Sequence, residues 1–169
     1  MSNQAMGGSS VQTKPQRQHG VERMRMSRDE LVERITRHVA EDSSVEAAPG
    51  LFLYRFSSPT GPRYGVTEPS FCVIAQGSKE VLLGKGRYRY DASHYLLVSA
   101  ELPVAGHIVA ASKEQPYLAV RLVLDPAVVT EVLIEAGLHA SGMDDAIKVM
   151  AVSRLDVSLL DAVVRVVRL

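Results

Sequence analysis

Between Phe71 and Gly106 the chain never runs long enough without interruption to make a helix of ordinary length. Phe71–Gln76 is apolar and is closed by Gly77-Ser78. Glu80–Leu83 is β-prone and runs into Gly84-Lys85-Gly86. Arg87–Tyr90 alternates basic and aromatic residues and ends at Asp91-Ala92-Ser93, after which Tyr95–Val98 is apolar again. Short runs with glycine at the breaks read as antiparallel strands joined by hairpins. Several of them at close, regular spacing predict a sandwich or barrel, which the remaining segments extend or flank.

Upstream, Leu51–Phe56 (LFLYRF) follows a Pro49-Gly50 turn and reads as a strand, and the proline- and glycine-bearing stretch 57–68 reads as a long irregular loop. Downstream, Val104–Ala110 and Tyr117–Leu124 read as further strands. The second is apolar on both faces except at Arg121, which suits the middle of a sheet or a closed barrel.

Helices are expected at both ends. Residues 1–26 are predicted to be a disordered tail, part of it an appended tag, because they are rich in Ser, Gln and Gly. The scattered Lys14, Arg17, Arg23, Arg25 and Arg28 read as solvated rather than as a nucleic-acid arm. Ser27 and Glu30 have the spacing of a capping box, and Leu31, Val32, Ile35 and Val39 follow at helical spacing. Residues 27–124 therefore form a first unit, an N-terminal helix plus the strands, with His38 solvated. At Asp125-Pro126 the pattern becomes helical, with an apolar face of Val128, Val129, Val132, Leu133 and Ala136 and a stop at Gly137. Asp144–Met150 begins a further short element. Asp156 caps a last helix whose stripe is Leu159, Leu160, Val163, Val164 and Val167, with Asp161 and Arg165 as a surface pair. Residues 125–169 thus read as a helical segment that breaks off in mid-pattern, and its wide apolar face calls for a partner.

The bulk numbers narrow the class. The chain has 169 residues, enough for one domain with a proper core and accessory helices. It carries 19 Lys+Arg against 19 Asp+Glu, a formal net charge of zero, so the basic footprint of a free-standing nucleic-acid binder is missing. One cysteine, Cys72, permits no internal disulfide and no multi-cysteine zinc site, and it fits a reducing, cytoplasmic setting. No apolar run approaches the roughly 20 residues of a membrane span.

Three phrases go further than patterning: EPSFCVIAQGSKEVLLG, YRYDASHYLLVSAELPV and EQPYLAVRLVLDPAVV, in that order. Together they resemble the N-terminal domain of AraC-type transcriptional regulators, from about Pro49 to Val129 and more loosely to the end. The resemblance implies a mainly β fold with flanking α. This would be a cupin-like β-barrel (a double-stranded β-helix) followed by a C-terminal helical dimerisation segment, with a helix-turn-helix DNA-binding domain outside this chain. It also implies a small-molecule effector, a homodimer and contact with DNA only through that further domain. Neither enzymatic activity, nor a cofactor, nor a membrane partner is expected.

Several residues are candidates within that frame. Arg121 interrupts an apolar strand, and a buried guanidinium must be paired, either by an anionic ligand or by a salt bridge to a neighbouring element. Tyr54, Tyr88, Tyr90, Tyr95 and His107 either line a pocket or fill the sheet face. Arg63 and Tyr64, in the long loop, are placed to close over a ligand. Arg121, His107, Tyr54, Arg63, Tyr64 and Tyr95 form the expected ligand set, and Leu160, Val163, Val164 and Val167 the expected dimer interface.

The alternatives are a stand-alone cupin enzyme and a dimerisation module that binds nothing. The first is weakened because neither His94 nor His107 belongs to a His-x-His, so even with Glu101 nearby no metal is expected. Cys72, within FCVIA, reads as a small core residue. Gly84–Arg87 is not a phosphate loop, because no helix follows it.

Overall fold

The computed structural model of the chain describes residues 14–137 and 148–168. Its elements are α1 (Lys14–His38), β1 (Ser43–Ala48), β2 (Leu51–Phe56), β3 (Arg63–Thr67), β4 (Ser70–Gln76), β5 (Ser78–Leu83), β6 (Gly86–Asp91), β7 (His94–Val98), β8 (Leu102–Ala110), β9 (Tyr117–Val123), α2 (Pro126–Glu135), β10 (Met150–Arg154) and α3 (Val157–Val167). A six-stranded sheet, in the order β1-β2-β9-β4-β7-β10, faces a four-stranded sheet, β3-β8-β5-β6. All pairings are antiparallel, and the architecture is the expected mainly β, cupin-like one with flanking helices.

The period-2 alternation of strands makes three layers of this. On β9, Leu118 and Val120 belong to the core beneath the helices, with Leu53 and Val73. Tyr117 and Ala119 turn the other way, towards Val81 and Tyr90 of the second sheet. The larger sheet is therefore buried on both faces, which explains the nearly unbroken apolar run of β9.

The helices cover the outer face of the larger sheet. α1 contributes Leu31, Ile35 and Val39, and α3 contributes Leu160, Val163, Val164 and Val167, all buried. Positions 160, 163, 164 and 167 fall on one face of a helix. Asp156 caps α3 by accepting a hydrogen bond from the Leu159 amide at 2.9 Å. Losing such a cap costs about 0.5–2 kcal/mol, so Asp156→Ala is expected to lower stability by about 1 kcal/mol in urea unfolding.

Polar pairs fix α1 against α3. Arg168 reaches Glu30 with Nε–Oε1 at 3.0 Å and Nη2–Oε2 at 3.1 Å. Asp161 accepts from Ser27 and Arg23. Arg168 and Arg34 hold the Glu30 carboxyl below its ordinary pKa, and the Ser27 hydroxyl, with Arg23, does the same for Asp161. A depressed folded pKa gives stabilisation that is present above the unfolded value and is lost as pH falls through the folded one. The α1–α3 contact should therefore weaken below about pH 4.

Five sequence expectations change here. Residues 125–169 are not wholly helical, since Met150–Arg154 forms β10 and pairs with β7 at the edge of the larger sheet. The first helix begins at Lys14, not at Ser27, so residues 14–26 are not tail. Ser27 lies inside α1 and serves α3 through Asp161 instead of capping. The irregular loop contains β3, paired with β8, and the weakly β-prone SSVEAA forms the edge strand β1. The supposed dimer face, Leu160, Val163, Val164 and Val167, is used inside the chain against α1 and the sheet. It is not available to a second copy. Residues 1–13, most of the Asp144–Met150 element and Leu169 lie outside the described residues, although Met150 itself opens β10.

α2 forms as the sequence reads, with Asp125 accepting from the Ala127 amide at 2.8 Å and Gly137 at φ +68° past its end. None of its side chains is buried. Val128, Val129, Val132, Leu133 and Ile134 are all exposed.

Candidate functional site

Between the two sheets lies a cavity of about 370 Å³. Its walls follow from strand parity. From the larger sheet come Tyr54 (β2), Cys72 (β4), Leu96 and Val98 (β7), Tyr117 and Arg121 (β9) and Met150 (β10). From the smaller sheet come Lys79 and Val81 (β5), Tyr90 (β6), and Val104, Gly106 and Ile108 (β8). β3 and the Thr60 segment border the cavity as well, and Thr60 is tied to β8 by its amide to the Ile108 carbonyl, 3.1 Å, and by the Ile108 amide to its hydroxyl, 3.0 Å.

A chain of polar groups crosses the apolar lining. Arg121 donates to Glu68 at 3.1 Å and lies over the Phe52 ring at 5.3 Å from its centre, with Tyr54 beside it on the cavity wall. Tyr90, Tyr117 and Cys72 line the cavity together, and the Cys72 thiol lies 3.9 Å from the Ser70 hydroxyl. Burial pushes the Cys72 thiol and the Tyr90 and Tyr117 phenols above their ordinary pKa values, so all three stay protonated and neutral.

Lys79 is the residue that sequence reasoning passed over. Burial is the main cause of a lowered pKa for its amine, and Arg121 adds to it. Its side chain runs over Gly106, where a Cβ would stand 3.3 Å from Cε and 3.8 Å from Nζ. A signal was present in the sequence: Lys79 is two residues before the apolar Val81 in a strand, hence on the same face.

The expected ligand set divides. Arg121 and Tyr54 are both on the cavity wall, and of the two pairings open to Arg121 the structure contains the salt bridge, made to Glu68. Arg63 borders the cavity and is exposed. Tyr64 borders it too but is 87% exposed, because it alternates with Arg63 and faces outward. His107 adjoins the cavity through β8, yet alternation with Gly106 turns its ring to the outer face. There Nε2 lies 3.7 Å from Glu80 Oε1, and Nδ1 is buried without a hydrogen-bond partner. Tyr95 is on the wrong face altogether: it packs on Phe71, ring centres 5.2 Å apart, in the core under the helices. Tyr88 and Tyr90 pack in the core between the sheets, and Tyr90 reaches the cavity.

The two histidines do not converge. His94 Nδ1 lies 3.0 Å from Asp91 at the β6–β7 turn, while His107 is held at Glu80. Among the described residues no group of three or more His, Cys, Asp or Glu side chains is placed to hold a metal ion. No helix among them is long and apolar enough to cross a membrane.

Residues 47–169 match the family described as "AraC-type transcriptional regulator N-terminus", from the end of β1 through α3. The chain belongs to this family. Solved structures similar to this AraC-type N-terminal region include an apo variant of ToxT from Vibrio cholerae. The two are 12% identical with a TM-score of 0.47, over 73% of this chain and 48% of that one. Another is wild-type ToxT from Vibrio cholerae bound to an unsaturated fatty acid, at 9% identity and a TM-score of 0.48, over 78% of this chain and 48% of that one. This chain thus spans about half the length of ToxT. No curated protein matches it.

Proposed function

We propose that this AraC-type N-terminal region is the effector-sensing part of a cytoplasmic, non-enzymatic transcription regulator, and that its effector enters the cavity between the sheets. The observation that carries the reading is the cavity itself. It has a mixed apolar and hydrogen-bonding lining, and its volume falls in the range of about 300–1,000 Å³ common for ligand sites. Its thiol is raised in pKa by burial, the opposite of what an attacking thiolate needs, which speaks against nucleophilic catalysis there.

The route of control runs through the larger sheet. Its inner face lines the cavity, and its outer face carries α1 and α3. An occupant that moves Cys72 or Arg121 acts on the same strands, β4 and β9, that seat Val73, Leu118 and Val120 under the helices. Differential binding to two arrangements of those helices would then bias the DNA-binding region that the family implies. Methyl spectra of Val81, Leu96, Val98 and Ile108, read alongside operator binding by the full-length regulator, test this. A metabolite that alters operator affinity should shift these methyls. One that alters affinity and leaves them still would place the effector site elsewhere.

Homodimerisation belongs to the same reading, and α2 rather than α3 offers exposed apolar side chains for it. Val132→Glu with Leu133→Glu is expected to yield monomers in analytical ultracentrifugation with the fold intact. A dimer that survives both changes removes α2 from the interface.

A further inference from the structure

Charge is unevenly distributed around the cavity. Among the described residues its lining includes Lys79, Arg121 and, at the border, Arg63, but no aspartate or glutamate. Arg121 already has its counter-charge in Glu68, which is half exposed at 55%. Glu80 neighbours Lys79 in sequence, but alternation puts it on the outer face of β5, where it meets His107 and Arg87. Lys79 therefore has a different status from the other cations. The hydrogen bonds and ion pairs of the described residues include none to its amine. The polar groups around it, Cys72, Tyr90 and Tyr117, are kept neutral by burial.

We infer that the cavity is a receptor for a compact carboxylate with an apolar or aromatic body, and that Lys79 is the cation that receives the carboxylate. This deepens the effector reading above and rests on it. Lys79 is half-buried on the cavity wall with no counter-charge of its own among the described residues, and a carboxylate that enters beside it gains a charge-assisted hydrogen bond in surroundings of reduced dielectric. Burial, with Arg121 nearby, lowers the pKa of Lys79, and an entering carboxylate would raise it again. Val81, Leu96, Val98, Val104, Ile108 and Met150 supply the apolar surface for the body of the acid. Gly106 leaves the passage for the lysine stem, since any side chain there would press on Cε. The volume, at the small end of the ligand-pocket range, sets the size of the acid.

The test compares acids with their neutral isosteres: octanoate with 1-octanol, and 3-phenylpropionate with 3-phenylpropan-1-ol. Each is titrated into the wild-type chain and into Lys79→Met, with affinities from calorimetry and cavity methyl shifts from NMR. Methionine fills nearly the same volume and leaves no half-buried amine without a partner, so the variant should fold about as well as wild type. The expected result is at least one acid that binds the wild type tenfold or more tightly than its alcohol, with the ratio falling to about one in Lys79→Met. Gly106→Ala, which crowds Cε, should weaken that acid more than its alcohol. If the alcohols shift the cavity methyls and bind as tightly as the acids, the carboxylate assignment is wrong while the effector cavity stands. An acid preference that persists in Lys79→Met overturns the role of Lys79. If neither acids nor alcohols move the cavity methyls, both the carboxylate assignment and the effector cavity fall.

Discussion

Leu160→Ala is expected to destabilise the chain by about 2–5 kcal/mol, the usual cost of truncating a fully buried leucine. The side chain is 1% exposed and packs in the core shared by α1, α3 and the larger sheet. That core cannot collapse easily onto the gap, because a sheet forms one wall and two helices tied by Glu30–Arg168 and Asp161–Ser27 form the other. Urea unfolding of the variant should show the midpoint falling with little change in slope. Val166→Ala, on the same helix but 46% exposed, provides the control and should stay within about 0.5 kcal/mol of wild type. Equal effects from the two would mean that α3 does not dock as described. The comparison also separates two roles for the α3 stripe: an interface between copies would show itself in concentration dependence, whereas an internal core would not.

Gly77→Ala is the second large effect. Gly77 joins β4 to β5 at φ +90°, a region that costs an L-residue about 1–2 kcal/mol. A Cβ there would also stand 2.5 Å from the Ala110 carbonyl oxygen and 3.1 Å from Tyr117 Cα, both backbone atoms that move only with their strands. Overpacking of this kind adds about 1–3 kcal/mol. Gly84→Ala isolates the backbone contribution, since Gly84 has φ +56° and nothing within 4 Å of its would-be Cβ. Thermal melts should therefore place Gly77→Ala well below Gly84→Ala, and identical melting temperatures would contradict the close approach of β8 and β9 to this turn. Because Tyr117 is on the cavity wall, Gly77→Ala should also disturb the cavity, whereas Gly84→Ala should leave it as it is.

Strand existence was legible from local chemistry. The runs FCVIAQ, EVLL, RYRY and YLLV each became a strand within one or two residues of the reading, because glycine and aspartate mark the turns between them. The cap at Asp125-Pro126 was legible for a similar reason, its chemistry being complete within three residues. β1 and β3 were not. SSVEAA and RYGVT have little strand character of their own, and they are ordered by pairing with Leu51–Phe56 and Leu102–Gly106. The start of α1 was missed because its first half is polar, and the partner that rewards it, Asp161 on α3, is 138 residues from Arg23.

The candidate site was legible in residue type and illegible in direction. Arg121 and Tyr54 were found, since a charge inside an apolar strand announces itself. The sequence reading puts Tyr95 and His107 in the ligand set and omits Lys79, because a strand sequence does not say which of its two faces looks inward. The amino-acid sequence by itself determined the short strands, their turns, the stripes of α1 and α3 and the membership in the AraC-type family. Those depend on contacts within a few residues, or on the wording of the chain. Only the tertiary structure decided that the α3 stripe is spent on α1 and the sheet. It alone decided that Tyr95 lies under the helices and Lys79 in the cavity. Each of these turns on which of two faces is covered, and by what, and that is fixed by elements far away along the chain.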